Sequence, residues 1–525
     1  MPSVVRAGLS LLCFLASSAA QSGVSTHQAA PGESSRGTDR GSVYEAVVRR
    51  AFAAFQPVGL AVAVVEGDRV VLELGLGERV LGGGDPVTPD TLFNIASCSK
   101  AFTAAAIARL VDAGKLGWDD QVTTHLPQFR LADPWITREM TVRDLLCHRS
   151  GLATFAGDLL WYGSDYDDQE VLRRIESLPI TQSFRGRFGY QNLMYHAAGM
   201  VLQRVGGRDW STVMHEDFFA ALGMTSTAAG FGRVPKSATL AHPHVEGVRE
   251  PVTSFGAAKA AGAIWSSVHD LTAWVRMLLA EGKLRDAQFL SREALAECFT
   301  PHVTMRRGSS PAALDAFDSY GLGWFLSVVD GKKLVEHDGG MPGYISKVAL
   351  IPADGFGIVL LNNGMDGFVN LALRQALIAA RQAKDGEDGE ARAFAIIDRV
   401  AAIATRRKAA TAEERRARAA TRVEGTSPSL SLDRYAGRYL DGSLGEAAVE
   451  LRDGALHLRV LPSATKLSGT MSHWHRDVFR VDFPDRFLPF ALVSFVLDVR
   501  GGVESFRIDC PIDDFDFAAL HFVRR

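Results

Sequence analysis

Two four-residue stretches, Ser97-Cys98-Ser99-Lys100 and Ser463-Ala464-Thr465-Lys466, set a hydroxyl three residues ahead of an amine. A serine hydroxyl attacks carbonyls poorly until something takes its proton. A lysine takes that proton only when neutral, which calls for burial or a nearby positive charge. The two stretches differ in their surroundings. Ser97 opens an Ala-rich amphipathic segment (KAFTAAAIARLVDAG) that ends at Gly114, a residue suited to a helix C-cap. On a helix, positions i and i+3 share a face, and the free N–H groups of the first turn favour a developing negative charge. Phe93, Ile95, Phe102 and Ala105 supply apolar flanks that would desolvate Lys100. Ser463 follows Pro462 in turn-rich, β-rich sequence, where i and i+3 point to opposite faces of a strand. The chemistry is therefore assigned to Ser97 and Lys100.

Two further spacings stand downstream. Tyr190-Gln191-Asn192 is the only Tyr-x-Asn in the chain, and with nine tyrosines and five asparagines chance gives about 0.1 such match. His337-Asp338-Gly339 is the only His-x-Gly, but 14 histidines and 50 glycines give roughly 1.3 by chance. Its setting adds weight: a strand-like run, Lys333 to Glu336, precedes it, and a tight glycine-rich passage (GGMPGYIS) follows.

The elements that must position these residues read as follows. A helix is expected over Val43 to Phe55, then a hairpin from Gly59 to Glu66 and Val70 to Gly77 around Gly67-Asp68-Arg69. Helices are expected near Val142 to Cys147, Tyr195 to Val205, Ser211 to Ala221, His269 to Glu281 and Arg292 to Phe299. Strands return at Gly323 to Asp330, Lys333 to His337, Ile345 to Ile351 and Phe356 to Asn362. Strands at both ends with helices between suit one mixed sheet carrying a helical lobe, an α+β arrangement. Residues 384–429 read as a solvated helical linker, in which Glu413, Glu414 and Glu424 interleave with arginines. Residues 430–525 carry short alternating runs separated by turns, the pattern of a small antiparallel β barrel or sandwich.

In this order and context the three motifs resemble those of the serine β-lactamase and penicillin-binding-protein superfamily. The match is nearest to its class C-like branch of esterases, D-aminopeptidases and related hydrolases. LFNIASCSKAFTAAAIARLVDAGKL, LLCHRSGL, YGLGW and HDGGMPGY also carry the resemblance, which spans roughly residues 43–380. The C-terminal part resembles the lipocalin-like β domain appended to some such enzymes. The resemblance implies a transpeptidase-like fold with Ser97 as the acylated nucleophile and Lys100 as its proton acceptor. It implies that Tyr190 shares the proton network and that Asn192 orients Lys100 and the substrate. His337 and Gly339 would border the cleft, and the N–H groups of Ser97 and Gly340 would form the oxyanion hole. No cofactor is implied. β-Lactamases of this superfamily usually place lysine where His337 stands, so cleavage of an ester, amide or peptide is expected ahead of β-lactam hydrolysis. An acyltransferase using the same acyl-enzyme is the alternative. A β-lactamase or a non-catalytic penicillin-binding-type protein ranks lower.

The remaining features bound the setting. Met1 to Ala20 has Arg6, a short apolar run and small residues at its end, the layout of a secretory signal peptide. Residues 21–42 read as a disordered leader, leaving 43–383 for the catalytic domain. A secreted or periplasmic location is expected, with no stable membrane span. A net charge of −3 argues against nucleic acid as a partner and leaves a small-molecule or short-peptide acyl substrate. His242/His244 and His473/His475 lack a third ligand in a fixed frame, so no metal is expected. Cys98, Cys147, Cys298 and Cys510 form no framework, although one disulfide is possible. His148 reads as structural support near the cleft, and the aromatic, acidic stretch with Trp161, Tyr162 and Tyr166 as pocket lining or surface packing.

Overall fold

A computed structural model of the protein describes residues 40–305, 318–384 and 386–525. The signal-peptide reading and nearly all of the leader lie outside the described residues. The first helix starts at Arg40 and runs to Phe55, so the last leader residues belong to it.

The period-two logic of a strand explains how two layers meet one sheet. In Gly59–Glu66 every other residue (Leu60, Val62, Val64) joins a core shared with Tyr44, Val48, Leu373 and Ile397. The alternate set (Ala61, Ala63, Val65) packs into a second core with the helical lobe. Strand order in the main sheet is 303–304, 319–320, 325–329, 332–341, 344–351, 356–362, 59–66 and 69–77. The sheet is thus assembled from both ends of the domain as the sequence predicts, and its pairings are all antiparallel. Strand Lys332–Met341 is longer than its expected core and carries His337 to Gly340 in register with Val348 to Ile345 of the next strand.

The long helix Gly389–Ala419 is capped by Asp388. Its sequence reads as solvated, yet Ala393, Ile397 and Val400 are buried in the core behind the sheet, and Arg418 near its end pairs with Asp509 of the barrel. From Gly437 the chain forms a closed antiparallel barrel of eight strands, sealed by pairing of Gly437–Asp441 with Phe522–Arg524. Tyr439, Phe479, Phe495, Phe506 and Phe522 fill its core. The four cysteines of the described chain are free and buried. Among the described residues, no helix is long and apolar enough to cross a membrane.

Candidate active site

Ser97 sits in the tight turn Ala96–Cys98, which leads directly into helix Ser99–Asp112. Ala96 adopts a φ of 44°, a left-handed conformation that costs an alanine on the order of 1 kcal/mol and persists only where its surroundings impose it. Asn94 supports it, its side-chain oxygen accepting the Ala96 N–H at 2.8 Å. The glycine strand presses on the same turn: a Cβ at Gly339 would lie 2.2 Å from both the Ile95 carbonyl oxygen and Ser346 Oγ. Only glycine lets the strand pass this close to the nucleophile turn.

Lys100 is fully buried one helical turn after Ser97. Its Nζ lies 3.1 Å from Ser97 Oγ, 2.6 Å from Asn192 Oδ1 and 2.9 Å from the Ala261 carbonyl oxygen. Burial lowers its pKa to about 7, against the opposing pull of Asp158. A neutral amine has two N–H donors and one lone pair. Asn192 and Ala261 accept both donors, which turns the lone pair toward the Ser97 hydroxyl.

Tyr190 stands immediately before helix Asn192–Gly206, which carries Asn192 in its first turn. Its ring lies 4.8 Å from Lys100 Nζ, and its buried hydroxyl has no well-aligned hydrogen-bond partner. Burial raises the phenol pKa well above its usual value, and the nearby Ser97 hydroxyl is the influence that eases it down. His148 packs under Tyr190 at 4.2 Å between ring centres and accepts the Gln191 N–H at Nδ1. It supports the tyrosine from below.

Of the expected site residues, Ser97, Tyr190, Asn192, Gly339 and Gly340 line one pocket, with Lys100 behind Ser97. His337 does not. Its ring is fully buried on the face toward the helical lobe, packed 6.2 Å from the Tyr190 ring, where Nε2 accepts from the Tyr320 hydroxyl at 2.8 Å. Its Nδ1–H donates to the Asp338 carbonyl at 2.5 Å. Burial takes its pKa down to about 3, so it is a neutral residue packed behind Tyr190 and Tyr320. Strand alternation sends Asp338, which also lines the pocket, to the opposite face. A lysine is nevertheless present there: Lys347 on the neighbouring strand pairs with Asp338 at 2.6 Å and Glu336 at 3.2 Å. Burial opposes its charge, and the two carboxylates more than restore it.

Several pocket residues escaped the motifs. Asp158 accepts a hydrogen bond from Asn192 Nδ2 at 2.6 Å, extending the line Ser97, Lys100, Asn192 by one carboxylate. Burial raises its pKa to about 7. Phe487, Asp514 and Phe515 come from the barrel. The acidic, aromatic composition of DLLWYGSDYDD was the available signal for Asp158. Nothing local marks Asp514, because its role depends on how the barrel docks. That docking uses Tyr162, whose hydroxyl donates to Asp485 at 2.6 Å, and Tyr166, which donates to the Leu444 carbonyl at 2.8 Å. Lys466 of the second Ser-x-x-Lys bonds Thr253 at 2.9 Å and Asp485 at 2.7 Å, while the Ser463 hydroxyl is buried without a partner.

A family model described as Beta-lactamase matches residues 48–383. The chain belongs to the beta-lactamase family. Residues 421–524 match a second family model, a domain of unknown function designated DUF3471, which covers the barrel. The chain is 30% identical over 341 residues to the unguisins hydrolase ungD' of Aspergillus campestris, an alignment covering 60% of each protein. It is 28% identical over 333 residues to penicillin-binding protein 4 of Amycolatopsis lactamdurans, covering 58% of this chain and 81% of that one. The matched region thus spans 60% of the length of the unguisins hydrolases. In fold, the chain resembles the octameric penicillin-binding protein homologue from Pyrococcus abyssi (TM-score 0.58, 20% identity, 93% of this chain and all of that one). It also resembles a D-amino acid amidase from Ochrobactrum anthropi (TM-score 0.53, 24% identity, 64% and 96% covered). This family's fold puts the Ser97 turn, Tyr190 and the glycine strand around one opening, with the barrel as an added wall.

Proposed function

We propose that the protein is a serine hydrolase that cleaves an amide, peptide or ester bond through an acyl-enzyme on Ser97. The observation that carries this reading is the lone-pair geometry of Lys100: a buried amine with a pKa near 7 and both N–H donors already taken, 3.1 Å from the serine oxygen. Ser97 Oγ attacks the carbonyl carbon while its proton passes to Lys100 Nζ. The N–H groups of Ser97 and Gly340 receive the oxyanion, each such donor supplying about 3 kcal/mol. Collapse expels the leaving group, which takes a proton from Lys100 through Tyr190. A water then attacks the acyl-enzyme, gives its proton to the same pair and releases the acid, restoring Ser97 Oγ–H. Asn192 holds the lysine and offers its amide to the substrate.

The unguisins hydrolase and D-amino acid amidase relatives, by their names, favour amide substrates over simple esters. β-Lactams remain disfavoured. His337 stands where a fixed cation would meet the substrate carboxylate and is held neutral, and Lys347, the pocket's other cation, is neutralised by Asp338 and Glu336. Export by a signal peptide at 1–20, and division into a catalytic body (43–383), helical linker (384–429) and barrel (430–525), belong to the same proposal.

The test is labelling of the purified protein with a fluorophosphonate and mapping of the adduct, followed by a panel of p-nitrophenyl esters, amino acid anilides and nitrocefin. An adduct on Ser97 is expected. One on Ser463, or none on a protein that turns over any of these substrates, overturns the mechanism, and nitrocefin turnover faster than the esters overturns the substrate argument.

A further inference from the structure

We propose that a second cavity, which shares Phe255 with the Ser97 pocket, binds a neutral sugar ring, and that Asn94 carries its occupancy to the nucleophile turn. The site stands apart from the acyl-enzyme reading and is tested without it.

Asn94 and Ser211 line this cavity and do not line the Ser97 pocket. The two side chains are only 3% and 8% exposed. Asn94 Oδ1 accepts the Ala96 N–H at 2.8 Å, which fixes the orientation of the amide and leaves Nδ2 as its free end. Among the described residues, neither Asn94 Nδ2 nor the Ser211 hydroxyl makes a hydrogen bond. Buried polar groups are almost always partnered. Two that face one cavity without partners call for an occupant rich in oxygen.

The rest of the lining narrows its chemistry. Lys259 stands 3.9 Å from Asp168, and Arg233 stands 3.9 Å from Asp209, all four at the cavity. Neither pair is close enough for a hydrogen bond, and exposed pairs of this length contribute almost nothing. A hydroxyl fits between the members of each pair, accepting from the cation and donating to the carboxylate. An ammonium has no acceptor and a carboxylate no donor, so neither could bridge them. Phe231 supplies a face: its ring is 43% exposed and lies 5.1 Å between centres from the buried Trp265. Such a face covers the C–H side of a saturated ring whose edge presents hydroxyls. An uncharged, polyhydroxylated ring answers every one of these groups.

Its occupancy reaches Ser97 by a short path. A sugar oxygen that accepts from Asn94 Nδ2 polarises the amide and strengthens the bond Oδ1 accepts from Ala96, because hydrogen bonds in a chain reinforce one another. Ala96 holds its left-handed φ of 44° immediately before Ser97. A bound sugar therefore tightens the turn that presents the nucleophile.

The test titrates the methyl glycosides of glucose, galactose and mannose, with cyclohexylmethanol as the control ring, by ligand-observed NMR. Saturable binding of at least one glycoside, and none of the control, is expected. Phe231→Ala and Arg233→Met, both at exposed positions, should each weaken that binding about tenfold with an unchanged melting temperature. No binding by any glycoside, equal binding of cyclohexylmethanol, or an affinity that neither variant changes overturns the site. Hydrogen exchange reads the path to Ser97. The peptide that holds Ala96 should exchange about twofold more slowly with the glycoside bound. Binding that leaves exchange there unchanged overturns the link through Asn94.

Discussion

If Lys100 takes the proton from Ser97, its protonation state sets the acid limb of the reaction. With a pKa of about 7, half of the lysine is neutral at pH 7, against roughly 0.04% for an ordinary lysine at 10.4. The buried setting therefore supplies a factor on the order of 10³ in competent enzyme at neutral pH. The rate of Ser97 acylation, followed as kcat/KM for a neutral p-nitrophenyl ester between pH 5 and 9, should rise through a midpoint near 7. At pH 5 it should stand at about 1% of its plateau, two pH units below the midpoint. Lys100→Arg keeps a cation and donors but cannot lose its proton. It should lower the plateau by 10³ or more and abolish the pH 7 midpoint, with Lys100→Met as the control for size. A flat profile from pH 5 to 8, a midpoint at 9 or above, or an arginine variant within tenfold of the native enzyme would refute the reasoning.

Asp158→Asn should move that midpoint to lower pH, because the carboxylate is the strongest influence holding the Lys100 pKa up against burial; a midpoint that rises tells against the line from Ser97 to Asp158. Ser97→Ala should abolish labelling and lower turnover by at least about 10³, whereas Ser463→Ala, which removes a buried hydroxyl with no partner, should leave activity within twofold. Gly339→Ala forces a methyl against the Ile95 carbonyl and Ser346; a loss of activity above tenfold with a lowered melting temperature is expected, and unchanged kinetics would mean that the strand can yield. His337 is held neutral in the fold with a pKa of about 3 but titrates near 6.5 when unfolded. The unfolded state therefore binds the extra proton as pH falls through that window, and stability drops by about 2 kcal/mol between pH 7.5 and 5 from this group. Urea midpoints for His337→Gln should show a correspondingly smaller drop.

Periodicity and motif order made the catalytic body legible. Gly59–Glu66 and Phe356–Asn362 are largely apolar runs, and both sit buried in the middle of the sheet between two layers. Ser97 and Lys100 were readable because a helix turn makes residues three apart neighbours in space, and Tyr190 and Asn192 because the extended Gln191 between them sends both to one side. His337 lies on the strand that borders the pocket, and Tyr190, Tyr320 and Phe325 cover its ring; the motif located the strand, while that cover depends on residues far away in sequence. Helix Gly389–Ala419 misled through composition: only three buried positions anchor it, too few to outweigh its charged remainder.

The two Ser-x-x-Lys stretches show where local reasoning stops. It separated them by asking which lysine shares a face with its serine, and Lys100 does lie 3.1 Å from Ser97, but it had no task for the second. Lys466 does have one. It crosses from barrel to catalytic body, meeting Asp485 and Thr253, and its side chain lies against Gly163, where a Cβ would sit 2.3 Å from Lys466 Cγ. The loop it grips carries Trp161 and Tyr162 into the pocket. Asp485 is buried and shared between Lys466 and Tyr162, so removing the lysine would strand a carboxylate at the junction, a loss of about 3 to 5 kcal/mol for breaking a buried pair. Such a junction is strong enough to fix the barrel against the pocket. It is through that docking that Asp514, invisible to any local pattern, comes to line the same pocket as Ser97.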